Sequence, residues 1–176
     1  MDGRASTRPS IKTKTIITMK IGIINPDNNT FTSVDQWKKD PEPKRANLIA
    51  IINNEANHLV FAKKYLPRKT TYGKAQSMID RFGAKGADLK FRLPTRKECL
   101  DIYDASLTDE FKDALELLHG NLLQNAEIWT QDIIEGENGI FNWTFNMLFG
   151  TLNYEGEMFK AEILPVLCDC QETMIP

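Results

Sequence analysis

Apolar and polar positions fall into three regimes along the chain. Residues 12–25, KTKTIITMKIGIIN, are rich in Thr and Ile with partial alternation, the pattern of one or two β-strands, and they end at the turn-forming NPDNN. The stretch VDQWKKDPEPKR, with two prolines, reads as a polar connection. Two short apolar runs follow, residues 46–52 and 58–65, around an Asn-Asn-Glu turn, and predict a β-hairpin.

From residue 70 the period becomes helical. Thr71 suits the cap of a helix in which Ala75, Met78, Ile79 and Phe82 share a face, ended by Gly83 and Gly86. A second helix is predicted over 96–103 with Leu100 and Tyr103 inward, and a third over 109–118, stopped by His119-Gly120. The period then returns to two. AEIWTQDI and GIFNWTFNML read as strands joined through EGENG, whose Asn138-Gly139 suits a tight turn. TLNYEG reads as a further turn and FKAEILPVLC as the last strand. Within the second of those strands Phe141, Trp143, Phe145 and Met147 alternate with Ile140, Asn142, Thr144 and Asn146. The aromatic face is expected in the core; the Asn/Thr face is either solvated or able to read sugar hydroxyls. Strands, then two to three helices, then strands predict an α+β fold with largely antiparallel sheet. The expected division is a flexible arm over 1–12, a β-hairpin region over 13–69 packed on the main domain, and that domain over 70–176.

Composition narrows the setting. With 176 residues, 41% of them hydrophobic, the chain can bury a full core. Its longest apolar run is too short to cross a bilayer, and the opening MDGRASTRPSIK lacks the apolar stretch of an export signal, so synthesis in the cytoplasm and no membrane contact are expected. Three cysteines, Cys99, Cys168 and Cys170, fit a reducing compartment. The net charge of −2 conceals a division: residues 1–100 carry 20 Lys/Arg and 9 Asp/Glu, residues 101–176 carry 2 and 15, hence +11 and −13. Either the halves neutralise one another within the fold, or the molecule is polar and packs head to tail with copies of itself or with other subunits. The arm, with Arg4, Arg8 and Lys12, is the expected contact with such a partner. The basic residues form no aromatic-interleaved stripe, so no nucleic-acid partner is expected.

Little in the sequence points to catalysis. His58 and His119 stand in different elements with no Cys/His/Asp cluster at metal spacing around them. Cys168-Asp169-Cys170 lacks the two-residue spacer of a redox pair. FGAKGADLK follows a helix, the reverse of the order a phosphate loop needs. DIIEGENG offers Asp132, Glu135, Glu137 and Asn138 to calcium, but a charged turn accounts for the same residues. No enzyme activity, cofactor or metal is expected.

One junction stands out. In FRLPTRKECL, Pro94 biases Leu93 toward an extended conformation, and Thr95 with Glu98 has the spacing of a capping box. Arg92 is thereby fixed beside the sheet, placed to pair with a carboxylate or with strand carbonyls. The stretch YGKAQSMIDRFGAKGADLKFRLPTRKECLDIY, then EIWTQDI, FNWTFNMLFGTLNY and EILPVLC, resembles the collagen-like adhesin C-terminal domain family, a branch of the C-type lectin-like fold. The resemblance covers about residues 70–170 and rests on Phe91, Arg92, Leu93, Pro94, Thr95, Glu98, Trp129, Trp143 and Pro165 as structural positions. Leu164-Pro165 stands where the family tends to have Arg-Pro, so that arginine has no counterpart here. The cysteine pair of the related formylglycine-generating enzymes is not reproduced. The resemblance implies a lectin-like domain and a non-enzymatic role, as a bacteriophage virion component (capsid-decorating, fibre or tail protein) or as a bacterial cell-surface adhesin module. Its partners would be virion subunits, itself, or a host-surface glycan or protein.

Overall fold

Strands with unbroken apolar runs need cover on both faces, and the central strands here have it. The computed structural model describes residues 19–24, 30–39, 47–54, 57–83, 89–122, 125–136 and 139–168. The predicted arm with Arg4, Arg8 and Lys12, the NPDNN turn and Cys170 lie outside those residues. In order the elements are β1 (Lys20–Ile24), β2 (Phe31–Ser33), α1 (Val34–Lys39), β3 (Leu48–Asn54), β4 (Asn57–Ala62), α2 (Tyr72–Gly83) and β5 (Phe91–Arg92). There follow α3 (Arg96–Ser106), α4 (Asp109–Leu117), β6 (Glu127–Gly136), β7 (Gly139–Asn146), β8 (Thr151–Glu155) and β9 (Val166–Leu167). The protein is α+β, with antiparallel sheets and four helices among the described residues.

A six-stranded sheet has the order β2-β1-β3-β4-β9-β5, and a three-stranded one runs β6-β7-β8. Because β9 comes from the end of the chain and pairs with both β4 and β5, the larger sheet draws strands from both sides of residue 70. On one of its faces Ile21, Ile23, Ile49, Ile51, Leu59 and Phe61 meet Trp37 of α1, Ile102 of α3 and Phe111 of α4. On the other, Ile24, Ala50, Val60 and Leu167 form a smaller cluster. This two-sided burial explains why residues 46–52 do not alternate. Each such side chain contributes roughly 1.5–3 kcal/mol relative to exposure.

The returning chain is a seam between the sheets. Glu162 exchanges backbone hydrogen bonds with β6, accepting from Trp129 N at 3.0 Å and donating to Glu127 O at 2.7 Å. The carbonyls of Ala161, Ile163 and Pro165 accept from Thr70, Leu66 and Ala62 at 3.0, 2.9 and 2.9 Å. A second core lies around this seam, where Ala75 and Ile79 of α2 pack with Leu66, Leu93, Trp129 and Ile163.

Four expectations are corrected. The stretch read as a polar connection contains α1, which buries Val34 and Trp37 at helical i, i+3 spacing. TLNYEG holds the strand β8; the turn precedes it at residues 147–150, where Gly150 has φ of 65° and Asn146 Oδ1 accepts from the amides of Leu148 and Phe149. FKAEILPVLC is mostly irregular, because it bonds alternately to two different neighbours and only Val166–Leu167 pair as a strand. On α3 Tyr103 packs half-buried against the core as expected, but Leu100 is exposed and the buried residues are Cys99, Ile102, Ala105 and Ser106. Glu137 and Asn138 of the predicted turn lie outside the described residues; Gly136 and Gly139 on either side of them are paired.

Candidate functional site

The FRLPT junction fastens α3 to both sheets. Thr95 Oγ1 accepts from the Glu98 amide at 3.1 Å and the Glu98 carboxylate accepts from Thr95 N at 2.7 Å, so the capping box is formed. The Arg92 guanidinium donates to both oxygens of that carboxylate at 2.7 Å and to Leu93 O at 3.1 Å. Burial alone would raise the Glu98 carboxyl; the hydrogen bonds from Arg92 and Thr95 outweigh it and hold it below the usual carboxylate range. With its charge committed in this fork, Arg92 acts as a clamp.

Asp132 of β6 works from the opposite side. Its Oδ2 accepts from the Arg96 amide at 2.8 Å, where an anion suits a helix start, and Gln131 N donates to Pro94 O at 2.8 Å. The Arg96 guanidinium lies 4.9 Å from the Trp143 ring centroid. Around the same junction, Phe91 stacks edge-on against Phe82 with centroids 4.9 Å apart, Leu93 is buried, and Pro94 and Pro165 are buried as well. Trp129 donates from Nε1 to Thr70 O at 2.7 Å and meets the rings of Tyr72 and Phe159 edge-on. These positions hold elements together, with Trp129 fully buried and the Arg92 guanidinium committed to Glu98 and Leu93.

The aromatic strand face expected in the core divides in two. Phe145 and Met147 are buried, Phe145 against Tyr103 of α3, but Phe141 and Trp143 are half-buried. The reason is length: α3 begins at Arg96, above Trp143, and the strands continue past it. Tyr154 of β8 closes the uncovered cluster, lying edge-on to both Phe141 and Trp143 at 5.9 and 5.8 Å while remaining 62% exposed. At the β7–β8 turn, Phe149 is 67% exposed and Leu148 is exposed beside it; Leu100 and Leu107 add apolar surface on α3. Exposed apolar side chains gathered in this way are a candidate contact surface. Sequence alternation located these aromatics and could not tell which lie beyond the helix.

The opposite face of β7 is buried at Asn142 and Thr144, while Ile140 is exposed. Asn142 is 3% and Thr144 0% exposed, and among the described residues Asn142 Oδ1 and Thr144 Oγ1 have no hydrogen-bond partner. Thr144 is registered with Trp129 on one side and Asn153 on the other. Nearby, Asn153 Nδ2 donates to Glu127 Oε1 at 2.6 Å, and burial followed by the Glu127 charge raises the Glu155 carboxyl.

The remaining candidates stay apart. His58 is on β4 and His119 sits after α4 in a left-handed conformation. Burial pushes the Cys99 thiol well above the usual range, which makes it inert. Cys168 is half-buried. Among the described residues no group of three or more His, Cys, Asp or Glu side chains is gathered as for a metal ion, and Asp132 is engaged with Arg96. Among them, too, no helix is long and apolar enough to cross a membrane. No protein-family model matches the chain, and no curated protein matches its sequence.

Proposed function

We propose that this chain is a non-enzymatic structural and interaction subunit of a larger assembly, and that its docking surface is the uncovered face formed by Phe141, Trp143, Tyr154, Leu148 and Phe149. The observations that carry the proposal are the exposure of Tyr154, whose ring closes over half-buried Phe141 and Trp143, and that of Leu148 and Phe149 at the β7–β8 turn. Asp101, Asp104, Asp132 and Glu135 also belong to the elements around it, and these all fall in the acidic part of the chain. The complementary partner is the basic first hundred residues of a neighbouring copy, a head-to-tail contact that repeats from subunit to subunit. The resemblance over residues 70–170 supports a C-type lectin-like fold and a place in a bacteriophage virion as a capsid-decorating, fibre or tail component.

A second reading is a surface adhesin that binds a glycan, and the Trp143–Tyr154 pair favours it, because exposed aromatic rings also stack on the apolar faces of sugars. The two separate cleanly. Phe149→Asp and Tyr154→Asp alter exposed side chains, so stability should stay within about 0.5 kcal/mol. On the assembly reading both weaken self-association in sedimentation by about tenfold or more, since each removes an apolar anchor and adds like charge. Unchanged self-association with lost binding on a glycan array would instead establish the adhesin.

A further inference from the structure

Away from the aromatic face lies a cleft of about 480 Å³ between residues 62–67 and α2. One wall is the chain leaving β4, anchored on several sides. Lys63 donates its amide to Asn47 O at 2.9 Å and accepts at its carbonyl from Asn121 N at 3.2 Å; Leu66 N donates to Ile163 O; Tyr65 Oη donates to Leu122 O at 3.0 Å. The other wall is one face of α2, with Met78, Arg81 and Phe82. A wall held by three separate segments is a formed site that needs little rearrangement on binding.

Among the described residues the lining combines an apolar floor of Leu66, Met78 and Phe82 with three cations, Lys63, Lys64 and Arg81, and includes no Asp or Glu. Lys64 and Arg81 make no ion pair among the described residues. Burial, and then the charge of Lys64, lowers the Lys63 ammonium below the usual lysine range. An anion entering between these groups would relieve that repulsion while its apolar part covers the floor.

We propose that this cleft binds a small amphipathic carboxylate, an alkyl or aryl body whose carboxylate sits among Lys63, Lys64 and Arg81 and whose body lies on Leu66, Met78 and Phe82. The volume suits a ligand of drug-like size or smaller. The cleft lies away from the aromatic face, and its three cations belong to the same basic first hundred residues as the proposed head-to-tail contact, so binding is read at protein concentrations where the chain is monomeric.

The test is calorimetric titration of the full-length protein with decanoate, and with decanol as the uncharged match, both below aggregation. Decanoate should bind and decanol should bind about tenfold more weakly or worse, the difference of one charge-assisted hydrogen bond. The double variant Lys64→Glu/Arg81→Glu, at two exposed positions, should remove decanoate binding and leave thermal unfolding near that of the wild type. As a second measurement, methyl resonances of Leu66 and Met78 should shift with decanoate. Absence of decanoate binding, equal affinity for both probes, an unaffected double variant, or methyl shifts located elsewhere would each overturn the proposal.

Discussion

Arg92→Met should cost about 2–3 kcal/mol, because it strips a mostly buried carboxylate of its two charge-assisted bonds while leaving the charge in place. Arg92→Lys should recover only part of that in thermal unfolding, since an ammonium cannot reproduce the fork. The same pair sets an acid response. The Glu98 carboxyl lies lower in the folded protein than its ordinary 4.5, so its stabilisation is complete above that pH and is lost as pH falls through the lowered value. Glu110 and Glu155, both raised by burial first, act in the opposite sense, so the informative comparison is wild type against Glu98→Gln. Their stability difference should shrink as the solution is acidified. Thr144→Val should be neutral or stabilising by about 1 kcal/mol, because it replaces an unpaired buried hydroxyl with a methyl of the same shape. A loss of more than about 1 kcal/mol in denaturant unfolding would mean that the hydroxyl has a partner in solution. The capping box was legible in the sequence because both its groups lie three residues apart. The burial of Thr144 was not, since it depends on how β7 is covered from the far side.

Among the elements, periodicity located α2, α3, α4 and the β3–β4 pairing, all of which are set by local spacing. It missed α1, whose six residues show only one i, i+3 apolar pair within a charged stretch, and β8, whose exposed edge position gives no clear alternation. The seam over 159–168 was misread as a strand because an apolar run shows burial and not which neighbours supply the hydrogen bonds. The β7–β8 turn now supplies a sharp expectation. At Gly150 φ is 65° and an added Cβ would stand 2.6 Å from the Tyr103 ring, so Gly150→Ala should cost more than about 1 kcal/mol and loosen the turn against α3. Thermal unfolding beside Gly156→Ala, where a Cβ meets nothing within 4 Å, separates this from a general glycine effect.

For the whole molecule, the division of charge along the chain coexists with a fold in which the two parts interleave, β9 lying between β4 and β5. Some of the charge is neutralised internally, as between Lys38 of α1 and Asp113 of α4 at 2.7 Å. Exposed pairs of this sort contribute about 0–1 kcal/mol each, so they do not require the imbalance. The proposed association between copies, with the acidic aromatic face as one partner surface, would use that imbalance. The α+β class was legible from the order of strands and helices; the proposed docking face was not, because it arises where α3 stops short of the sheet it covers. The central measurement is the mass of the full-length protein by light scattering from low to high salt, beside a chain beginning at Ile11. The account predicts oligomers at low salt that dissociate as screening increases and are weakened by loss of the basic residues Arg4 and Arg8. A full-length chain that remains monomeric at every salt concentration would contradict it.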